Sequence, residues 1–583
     1  MCALCPLAIK MYNARMSERM IETKTEHLPR PILDVARELG LAEDDVELYG
    51  RGKAKIELAA LSRANRGPKR QGRLVLVTAI NPTPAGEGKT TTSISLAMGM
   101  RRLGKNVVLA LREPSLGPVF GVKGGGTGGG KASLVPTDDI NLHFTGDIHA
   151  ITSAHNLLSA LLDNAVHFRE KIGTSEIDPR TITWGRALDM NDRALRRCVV
   201  GLGGKANGTP REERFDITAA SEIMAILALA TDYADLEARI ARVVVASTYE
   251  GGPVTAGDVG AAGAMTAVLR DALKPNLVQT AEGGPAIVHA GPFGNIAHGC
   301  NSVLATKLAI DLGDYAITEA GFGFDLGGEK FLDIKCRQAG IWPRAIVIVA
   351  TLRALKMHGG APVKSAGEPD VAKLEKGLAH LEKHLENART YGLTPIVAIN
   401  VFPNDTPEEI AIVQAAAAKY GAKVARSEGF ARGGEGAIDL AKVVCDVVDA
   451  TDAAPPPPKY VYELDDAPHD KVKKIARAIY GAKDAVFTLA AEANLKRIRD
   501  LGYEKLPVCM AKTQLSLTDD PTIPGRPKDF VITVREVRLS AGAGFLVALT
   551  GEMMTMPGLP KVPAARNIAL LPSGRVRGLM QND

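Results

Sequence analysis

The segment from Leu74 to Thr90 constrains the fold of this chain more than any other. Leu74 to Ile80 is a continuous apolar run, which is typical of a strand buried on both faces of a parallel sheet. A turn-rich loop follows from Asn81 to Gly88, and the residues from about Thr90 to Arg102 have the pattern of a helix. A second buried strand is expected from Asn106 to Leu111. The order strand, loop, helix, strand is that of an α/β unit.

The loop before this helix has the composition of a phosphate-binding loop. Backbone N–H groups at a helix N-terminus, together with the helix dipole, can hold phosphate oxygens. Gly86 and Gly88 allow the backbone to approach such a ligand closely. Lys89 can place a positive charge on the β and γ phosphates, and the hydroxyl of Thr90 can reach Mg²⁺. The strict pattern G-x-x-x-x-G-K-[ST] is broken, because its first glycine position is Thr83, and a tight turn without a ligand is the alternative.

Short apolar runs and helical stretches alternate along the rest of the chain. In one helical stretch Leu374, Leu378, Leu381 and Leu385 form a single apolar stripe. This alternation predicts an α/β fold of the P-loop NTPase-like kind, with a doubly wound, mostly parallel sheet and additional smaller α/β domains. The further strands are expected at Arg242–Ser247, Ala286–His289, Tyr315–Thr318, Ala345–Thr351, Ile396–Asn400 and Ala422–Ala425.

A run of four prolines, Pro455 to Pro458, is the clearest linker in the chain, because neither a helix nor a central strand accommodates it. Beyond it, the residues up to Asp500 are expected to be helical, and Asp529 to Thr555 to form strands. The predicted divisions are a disordered leader at 1–30, a P-loop nucleotide-binding domain at 31–365, a smaller α/β domain at 366–454, the linker at 455–459 and an α+β domain at 460–583.

The composition excludes several classes of protein. The chain has 583 residues and a net charge of +5 from 71 basic and 66 acidic residues, so no segment resembles a nucleic-acid-binding arm. Its seven cysteines are scattered, which favours reduced thiols and a cytoplasmic location over a set of disulfides. No run of about 18 apolar residues occurs, so a membrane span is not expected.

Polar residues follow the second strand and extend the candidate site. Arg112 stands at the carboxyl end of that strand, where its guanidinium could bind a phosphoryl group, although an isolated arginine is more often a surface residue. The segment from Gly121 to Lys131 is rich in glycine and either passes close to a ligand or is a flexible loop. His143, Asp147, His149 and His155 follow as a cluster. The six-residue spacing puts its histidines on different helical faces, which favours the wall of a polar pocket over a zinc site.

Many segments of the chain, in one order, resemble a single family, the formate–tetrahydrofolate ligases. They extend from the phosphate-loop segment to near the C-terminus. The matching segments are Thr83–Thr92, Arg112–Pro118, Asp139–His149, Asp178–Trp184, Gly201–Asn207, Lys274–Thr280, Gly291–Pro292, Asn295–Asn301, Thr318–Gly323, Arg353–Gly360, Gly433–Gly436, Met510–Gln514, Thr533–Ala541 and Met554–Pro560.

The resemblance implies that ATP phosphorylates formate to a bound formyl phosphate, and that tetrahydrofolate then accepts the formyl group to give 10-formyltetrahydrofolate. It implies Arg112 as the ligand of formyl phosphate, with Lys89 also in the catalytic set and His143 and Asp147 on the pocket wall. It implies Mg²⁺ with ATP at Thr90, and a monovalent cation, K⁺ or NH₄⁺, at Glu113. The positions implied for ATP are Thr83, Pro84, Ala85, Gly86, Glu87, Gly88, Lys89 and Thr90.

The resemblance also implies a folate pocket between two aromatic rings, Phe402 and Phe430, and a homotetramer. Phe430 departs from the family pattern, which has tryptophan there, so the reaction type is unaffected but weaker stacking on folate is expected. The partners implied are small molecules alone, namely formate, ATP and tetrahydrofolate, with neither nucleic acid nor membrane.

Two other classes of protein share a phosphate loop of this kind. One is another ATP-dependent ligase, such as a carbon-dioxide-fixing or amide-forming synthetase, which would need neither the Arg112 segment nor the two distant aromatic residues. The other is a nucleotide-switched partner protein, which would not need 583 residues. Dependence of ATP turnover on folate separates the three.

Overall fold

The computed structural model describes residues 29–62, 71–84, 86–123, 125–551 and 553–579. The leader predicted at 1–30 lies outside the described residues except for its last two positions, and so does Ala85 of the expected ATP loop.

A 12-stranded sheet forms the centre of the molecule. Its strands, numbered along the chain, are β1 Val46–Leu48, β2 Ala54–Ile56, β3 Arg73–Ala79, β4 Val107–Leu111, β5 Gly128–Gly129, β6 Ala132–Val135, β7 Asn276–Thr280, β8 Pro285–Val288, β9 Tyr315–Glu319, β10 Ala345–Ala350, β11 Thr394–Asn400 and β12 Lys423–Ser427. Across the sheet the order is β1-β2-β7-β8-β4-β9-β3-β10-β11-β12, and β6 pairs with β7 and β5.

Most of this sheet is parallel. Every neighbouring pair from β8 to β12 in the spatial order is parallel, whereas β1, β2, β7 and β8 pair antiparallel with one another. The predicted mixed α/β fold with a mostly parallel sheet is therefore confirmed. The strands of residues 366–454 belong to the same sheet as those of residues 31–365, so these two predicted domains share one sheet.

Helices pack on both faces of the sheet, because the central strands present apolar side chains to both faces. Val75 and Val77 of β3 pack with one helix layer, and Leu74 and Leu76 of the same strand pack with the other. The helices of seven residues or more are α1 Ile32–Glu38, α2 Lys89–Arg102, α3 Asp147–His167, α4 Glu222–Leu229, α5 Tyr233–Ala241, α6 Ala262–Val268, α7 Val303–Leu312, α8 Leu352–His358, α9 Val371–Thr390, α10 Pro407–Ala418, α11 Ile438–Asp449, α12 Pro468–Ile475 and α13 Leu489–Asp500.

The C-terminal segment forms smaller sheets beside the central one. Its strands are β13 Asp484–Phe487, β14 Val508–Ala511, β15 Val531–Val534, β16 Glu536–Ser540 and β17 Phe545–Leu549. Short two-stranded pairs also occur: Lys171–Ile172 with Ser175–Glu176, Arg186–Leu188 with Phe215–Ile217, Cys198–Val200 with Arg211–Glu213, Val244–Ser247 with Pro253–Thr255, and Ala569–Leu570 with Val576–Arg577.

Three details of the fold differ from the sequence-based expectations or were not part of them. The apolar run at Arg242–Ser247 gives a strand that pairs outside the central sheet, because the fully buried run Asn276–Thr280, which was not predicted, occupies the position between β2 and β8. The segment up to Asp500 is not helical throughout, since β13 separates α12 from α13. β4 does not lie directly beside β3, because β9 is inserted between them.

Among the described residues, no helix combines the length and apolar character that crossing a membrane requires.

Candidate active site

The loop between β3 and α2 is held together by hydrogen bonds to one of its own side chains, that of Glu87. The buried carboxylate of Glu87 accepts hydrogen bonds from the Thr83 backbone N–H at 2.7 Å and from the Thr83 hydroxyl at 3.0 Å. Burial raises the pKa of Glu87 to about 7. From β11, Asn400 Nδ2 donates to the Glu87 carbonyl at 3.1 Å. Gly88 has a φ of 72°, and a Cβ built there would lie 2.4 Å from Asn400 Nδ2, so this position requires glycine.

Two cationic side chains, one at the start of α2 and one after β4, converge on the loop after β9. The Lys89 ammonium, at the start of α2, donates to the carbonyl of Ala320 and, at 3.3 Å, to that of Phe322. The Arg112 guanidinium, which follows β4, reaches the same loop, because a Cβ built on Gly321 would lie 3.0 Å from its Nη1. Arg112 also donates to the Pro292 carbonyl at 3.3 Å, and its Nε is buried without a hydrogen-bond partner.

A carboxylate that was not singled out from the sequence faces the helix start. Glu319, the last residue of β9, accepts a hydrogen bond from the Thr90 hydroxyl at 3.0 Å. The inserted position of β9 between β3 and β4 brings Glu319 there. A threonine of a phosphate loop together with an acidic residue at the end of a neighbouring strand is an arrangement that holds Mg²⁺ in P-loop enzymes. Two signals were available, the expected strand end at Thr318 and the family-like segment Thr318–Gly323, but neither assigned a role to Glu319.

Strained backbone is concentrated at this site. Of the five described non-glycine residues with positive φ, three border it: Phe144 with 48°, Ala290 with 54° and Phe322 with 58°. The Ala290 carbonyl accepts the Glu113 N–H at 2.8 Å, and the Phe322 carbonyl accepts Lys89. Such residues cost about 1–3 kcal/mol each and occur preferentially at functional sites.

The segment after Arg112 is fixed by a second residue that was not predicted, Asp189. This carboxylate accepts the Ser115 hydroxyl at 2.5 Å and the Leu116 N–H at 2.9 Å. Burial raises the pKa of Asp189, while the Ser115 hydrogen bond and the nearby His143 oppose that rise. His143, which is exposed, is near enough to act on the Asp189 carboxylate through its charge, and its place on the wall of a pocket stays a prediction.

Glu113 is a buried carboxylate with spare hydrogen-bonding capacity. Only 4% of the residue is exposed, and its Oε2 has no hydrogen-bond partner. Burial, and after it the charge of Asp147, raises the pKa of Glu113, while Lys55 opposes the shift. An oxygen ligand in these surroundings is suited to a cation, which would supply the missing countercharge.

Asp147 has the contacts of a buried ion pair. Its two carboxylate oxygens accept the Lys55 ammonium at 2.7 Å and Asn276 Nδ2 at 2.7 Å, and the pair with Lys55 is almost wholly buried. The pair joins β2, β7 and the start of α3. These contacts tie Asp147 to β2 and β7, and its role on the wall of the pocket stays a prediction.

Lys55→Met should destabilise the fold by about 3–5 kcal/mol, because it leaves Asp147 buried without a countercharge. Chemical denaturation of the two proteins measures this difference. Lys505→Met is the matched control, since its partner Asp465 is largely exposed and the pair is solvated; its unfolding midpoint should not move. Equal midpoints for Lys55→Met and the unchanged protein would contradict the buried-pair interpretation.

The two predicted folate residues follow neighbouring parallel strands. Asn400 of β11 and Ser427 of β12 are register partners, and Phe402 and Phe430 come just after them. The Arg353 guanidinium lies over one face of the Phe402 ring, 3.5 Å from its centroid. Phe430 is 46% exposed, and its carbonyl accepts the N–H of Lys131 at 2.9 Å, which fixes the glycine-rich segment at this edge of the sheet.

Asn81, the first residue of the loop, is bonded through all its polar groups. Its backbone N–H donates to His380 Nε2 at 3.4 Å, and its carbonyl accepts His358 Nε2 at 3.1 Å. His384 Nε2 lies 3.1 Å from its side-chain oxygen. Its Nδ2 contacts Asp325 and the carbonyls of Gln514 and Ser516. Burial lowers the pKa of all three histidines, so they are neutral hydrogen-bonding groups.

A mostly parallel sheet with a glycine-lysine loop and converging cations at its carboxyl edge is typical of the α/β proteins, which generally bind their ligands at that edge. A sequence model described as formate–tetrahydrofolate ligase matches residues 18–580. A formate–tetrahydrofolate ligase of Myxococcus xanthus (strain DK1622) is 60% identical over 554 residues, which cover 95% of this chain and 100% of that relative. The chain belongs to the formate–tetrahydrofolate ligase family, and it is a ligase.

Proposed function

We propose that the protein uses ATP to join formate to tetrahydrofolate, giving 10-formyltetrahydrofolate, ADP and phosphate through a bound formyl phosphate. The observation that supports this most directly is the convergence of Lys89 and Arg112 on the loop Ala320–Phe322. Two cations at one point, one from a phosphate loop and one from a neighbouring strand, suit the transfer of a phosphoryl group onto a small anion. The homotetramer implied by the family stays a prediction.

In the first step an oxygen of formate attacks the γ-phosphorus of ATP, and the bond to the bridging oxygen of ADP breaks. Formate must be activated in this way because direct attack on its carbon would have to expel oxide. Lys89 neutralises charge on the transferring phosphoryl group, and the fork of Arg112 binds the resulting formyl phosphate. No residue of the protein forms a covalent bond in this scheme.

Thr90 and Glu319 are the residues that would hold Mg²⁺. Their hydroxyl and carboxylate oxygens lie 3.0 Å apart, and hard oxygen ligands of this kind suit the ion. When bound with ATP, Mg²⁺ neutralises the β and γ phosphates. Glu113, with its buried unpaired oxygen, is the residue proposed to face the monovalent cation.

Glu319→Gln should raise the Mg²⁺ concentration needed for half-maximal turnover by about tenfold or more, because a carboxylate ligand is replaced by a neutral amide. The measurement is a Mg²⁺ titration at fixed ATP. Glu282→Gln, at the hairpin between β7 and β8, is the control and should leave the titration unchanged. An unaltered Mg²⁺ requirement in Glu319→Gln would exclude this residue as a ligand.

In the second step the folate amine attacks the formyl carbon and phosphate leaves. Phe402 and Phe430 follow adjacent strands at the same edge of the sheet as the phosphate loop, which supports their assignment to the folate pocket. Because Arg353 covers one face of Phe402, only the other face of that ring is open to a pterin.

Phe430→Trp should lower the KM for tetrahydrofolate several-fold with little change in kcat, because a larger ring adds about 0.5–1.5 kcal/mol of stacking. Steady-state kinetics at saturating ATP and formate measure the effect. Phe168→Trp, an exposed phenylalanine at the end of α3, is the control. A KM that rises in Phe430→Trp would show that the pocket is shaped around the smaller ring.

The test of the function is phosphate release from MgATP by the purified protein with formate alone, with tetrahydrofolate alone and with both. Turnover only when both are present, with formation of 10-formyltetrahydrofolate, is the expected result. Turnover indifferent to folate would reject the proposal and favour a nucleotide-switched ATPase. Turnover that requires a different acceptor would favour another ATP-dependent ligase.

A further inference from the structure

A cavity of about 260 Å³ lies apart from the phosphate loop, between the α3–α4 region and the C-terminal strands. Residues of α3, α4, α13, β16 and β17 line it. None of its lining residues belongs to the loop from Asn81 to Thr90, to the segment after Arg112, or to the two aromatic positions Phe402 and Phe430. The cavity is therefore a second place in the described structure where a small molecule could be enclosed.

Two guanidinium groups at the cavity use few of their N–H donors in hydrogen bonds within the described part of the protein. Arg497 lies exposed on α13 and donates to the Ser247 hydroxyl at 2.6 Å. Arg214 donates to the Thr183 carbonyl at 3.2 Å, and its buried Nε, which makes no hydrogen bond, forms an ion pair with Asp216 at 3.4 Å. A guanidinium has five N–H donors, so each of these arginines can bind an anionic group with its fork.

Among the described residues, the one ion pair between a lining carboxylate and these two arginines is that of Asp216 with Arg214 Nε at 3.4 Å, so both guanidinium groups keep N–H donors on their terminal nitrogens. Glu536 is occupied by Arg538, with contacts at 2.8 and 3.1 Å. Glu222 is buried and accepts the backbone N–H groups of Gly542 and Ala543 at 2.8 and 3.3 Å. Of the lining carboxylates, only Asp216 keeps a buried oxygen without a hydrogen-bond donor.

His155 presents a further unpaired group. It is 2% exposed, and its Nε2 lies 3.1 Å from the Gly185 carbonyl, which can only accept. Nε2 therefore carries the proton, and Nδ1 of the neutral ring is an acceptor that is buried without a donor. The ring stacks on Trp184 at 4.2 Å, so this wall of the cavity combines a flat apolar surface with one acceptor. Such a buried acceptor is costly unless a ligand or a water donates to it.

We propose that this cavity is a second ligand-binding site, for a small organic anion that has a flat ring and a hydrogen-bond donor. Arg214 and Arg497 bind the anionic group, Trp184 and His155 contact the ring, and His155 Nδ1 accepts the donor. The volume suits a ligand smaller than most cofactors, because ligand pockets usually measure about 300–1,000 Å³.

The test uses 4-hydroxybenzoate as the probe, with 4-hydroxybenzamide and benzoate as matched analogues that lack the charge and the hydroxyl donor. Ligand-observed NMR titrations are made with the full-length protein. Binding of 4-hydroxybenzoate should be about tenfold tighter than that of the amide, and about tenfold weaker in Arg214→Gln and in Arg497→Gln. Arg499→Gln, which lies on the same helix outside the cavity, should bind the probe normally, and so should Lys89→Ala.

The role of His155 is tested by comparing two ligands, with and without the hydroxyl donor, in the unchanged protein and in a His155 variant. In the unchanged protein 4-hydroxybenzoate should bind several-fold tighter than benzoate, and His155→Phe should abolish that difference while keeping affinity for benzoate. Thermal unfolding midpoints establish that the variants are folded. Absence of saturable binding up to about 10 mM, or binding unchanged in both arginine variants, would overturn the proposal.

Discussion

Lys89→Ala should lower the kcat of formate- and folate-dependent ATP turnover about 10³-fold, because one preorganised charge at a transferring group contributes roughly this much. The ammonium is held against the carbonyls of Ala320 and Phe322, so it is already oriented toward the loop that Arg112 also reaches. The KM for tetrahydrofolate should change little, since the folate residues follow other strands. Steady-state phosphate release at saturating substrates measures both quantities.

Lys105→Ala is the matched control. Lys105 precedes β4 at the opposite end of the strand from Arg112, where it lies 3.6 Å from Asp449. Its removal should leave kcat within about twofold of the unchanged protein, because a surface ion pair contributes little. If the Lys89→Ala protein turned over ATP at a tenth of the normal rate or faster, this result would show that the proposed phosphate loop takes no part in the reaction.

Arg112 gives the second large effect. Arg112→Ala should reduce kcat/KM for formate by about 10²–10³-fold, because the guanidinium fork proposed to bind formyl phosphate is lost. Arg112→Lys should recover less than a tenth of that loss, since an ammonium cannot bind an acyl phosphate through two parallel hydrogen bonds. The measurement is initial-rate kinetics with formate varied at saturating ATP and tetrahydrofolate.

The control for Arg112 is Arg197→Ala, an exposed arginine paired with Glu212, which should have normal kinetics. A further distinction comes from the nucleotide. The KM for ATP should remain nearly normal in Arg112→Ala, because Lys89 and the loop backbone are intact. If the kinetic parameters for ATP and for formate were impaired equally, Arg112 would be a structural support for the whole loop and not the ligand of the acyl phosphate.

The parts of the fold that depend on residues close together in the sequence were predictable. The strand Arg73–Ala79, the helix Lys89–Arg102 and the strand Val107–Leu111 agree with the expected elements to within one or two residues. Their apolar runs and the loop chemistry between them are local signals. The same holds for the apolar stripe of the helix Val371–Thr390.

The residues that the sequence did not single out reach the site from distant strands. Glu319 is 229 positions from Thr90, and Asn400 is 313 positions from Glu87. Their roles depend on the order of strands in the sheet, which no local pattern specifies. Asp147, in contrast, was singled out from its motif as a pocket residue. The motif did not indicate its contacts with Lys55 and Asn276, because these depend on β2 and β7.

The bonds of Asn81 have a consequence for how the protein is made. Asn81 Nδ2 donates to the carbonyl of Gln514, 433 positions later, and His380, which accepts the Asn81 N–H, is itself bonded to Gly525. A chain leaving the ribosome has its phosphate loop long before these acceptors exist. The central sheet can assemble during synthesis, but the first residue of the loop acquires its full set of partners only after Gly525 has been added. The loop proposed to bind nucleotide should therefore acquire its complete hydrogen bonding late in translation.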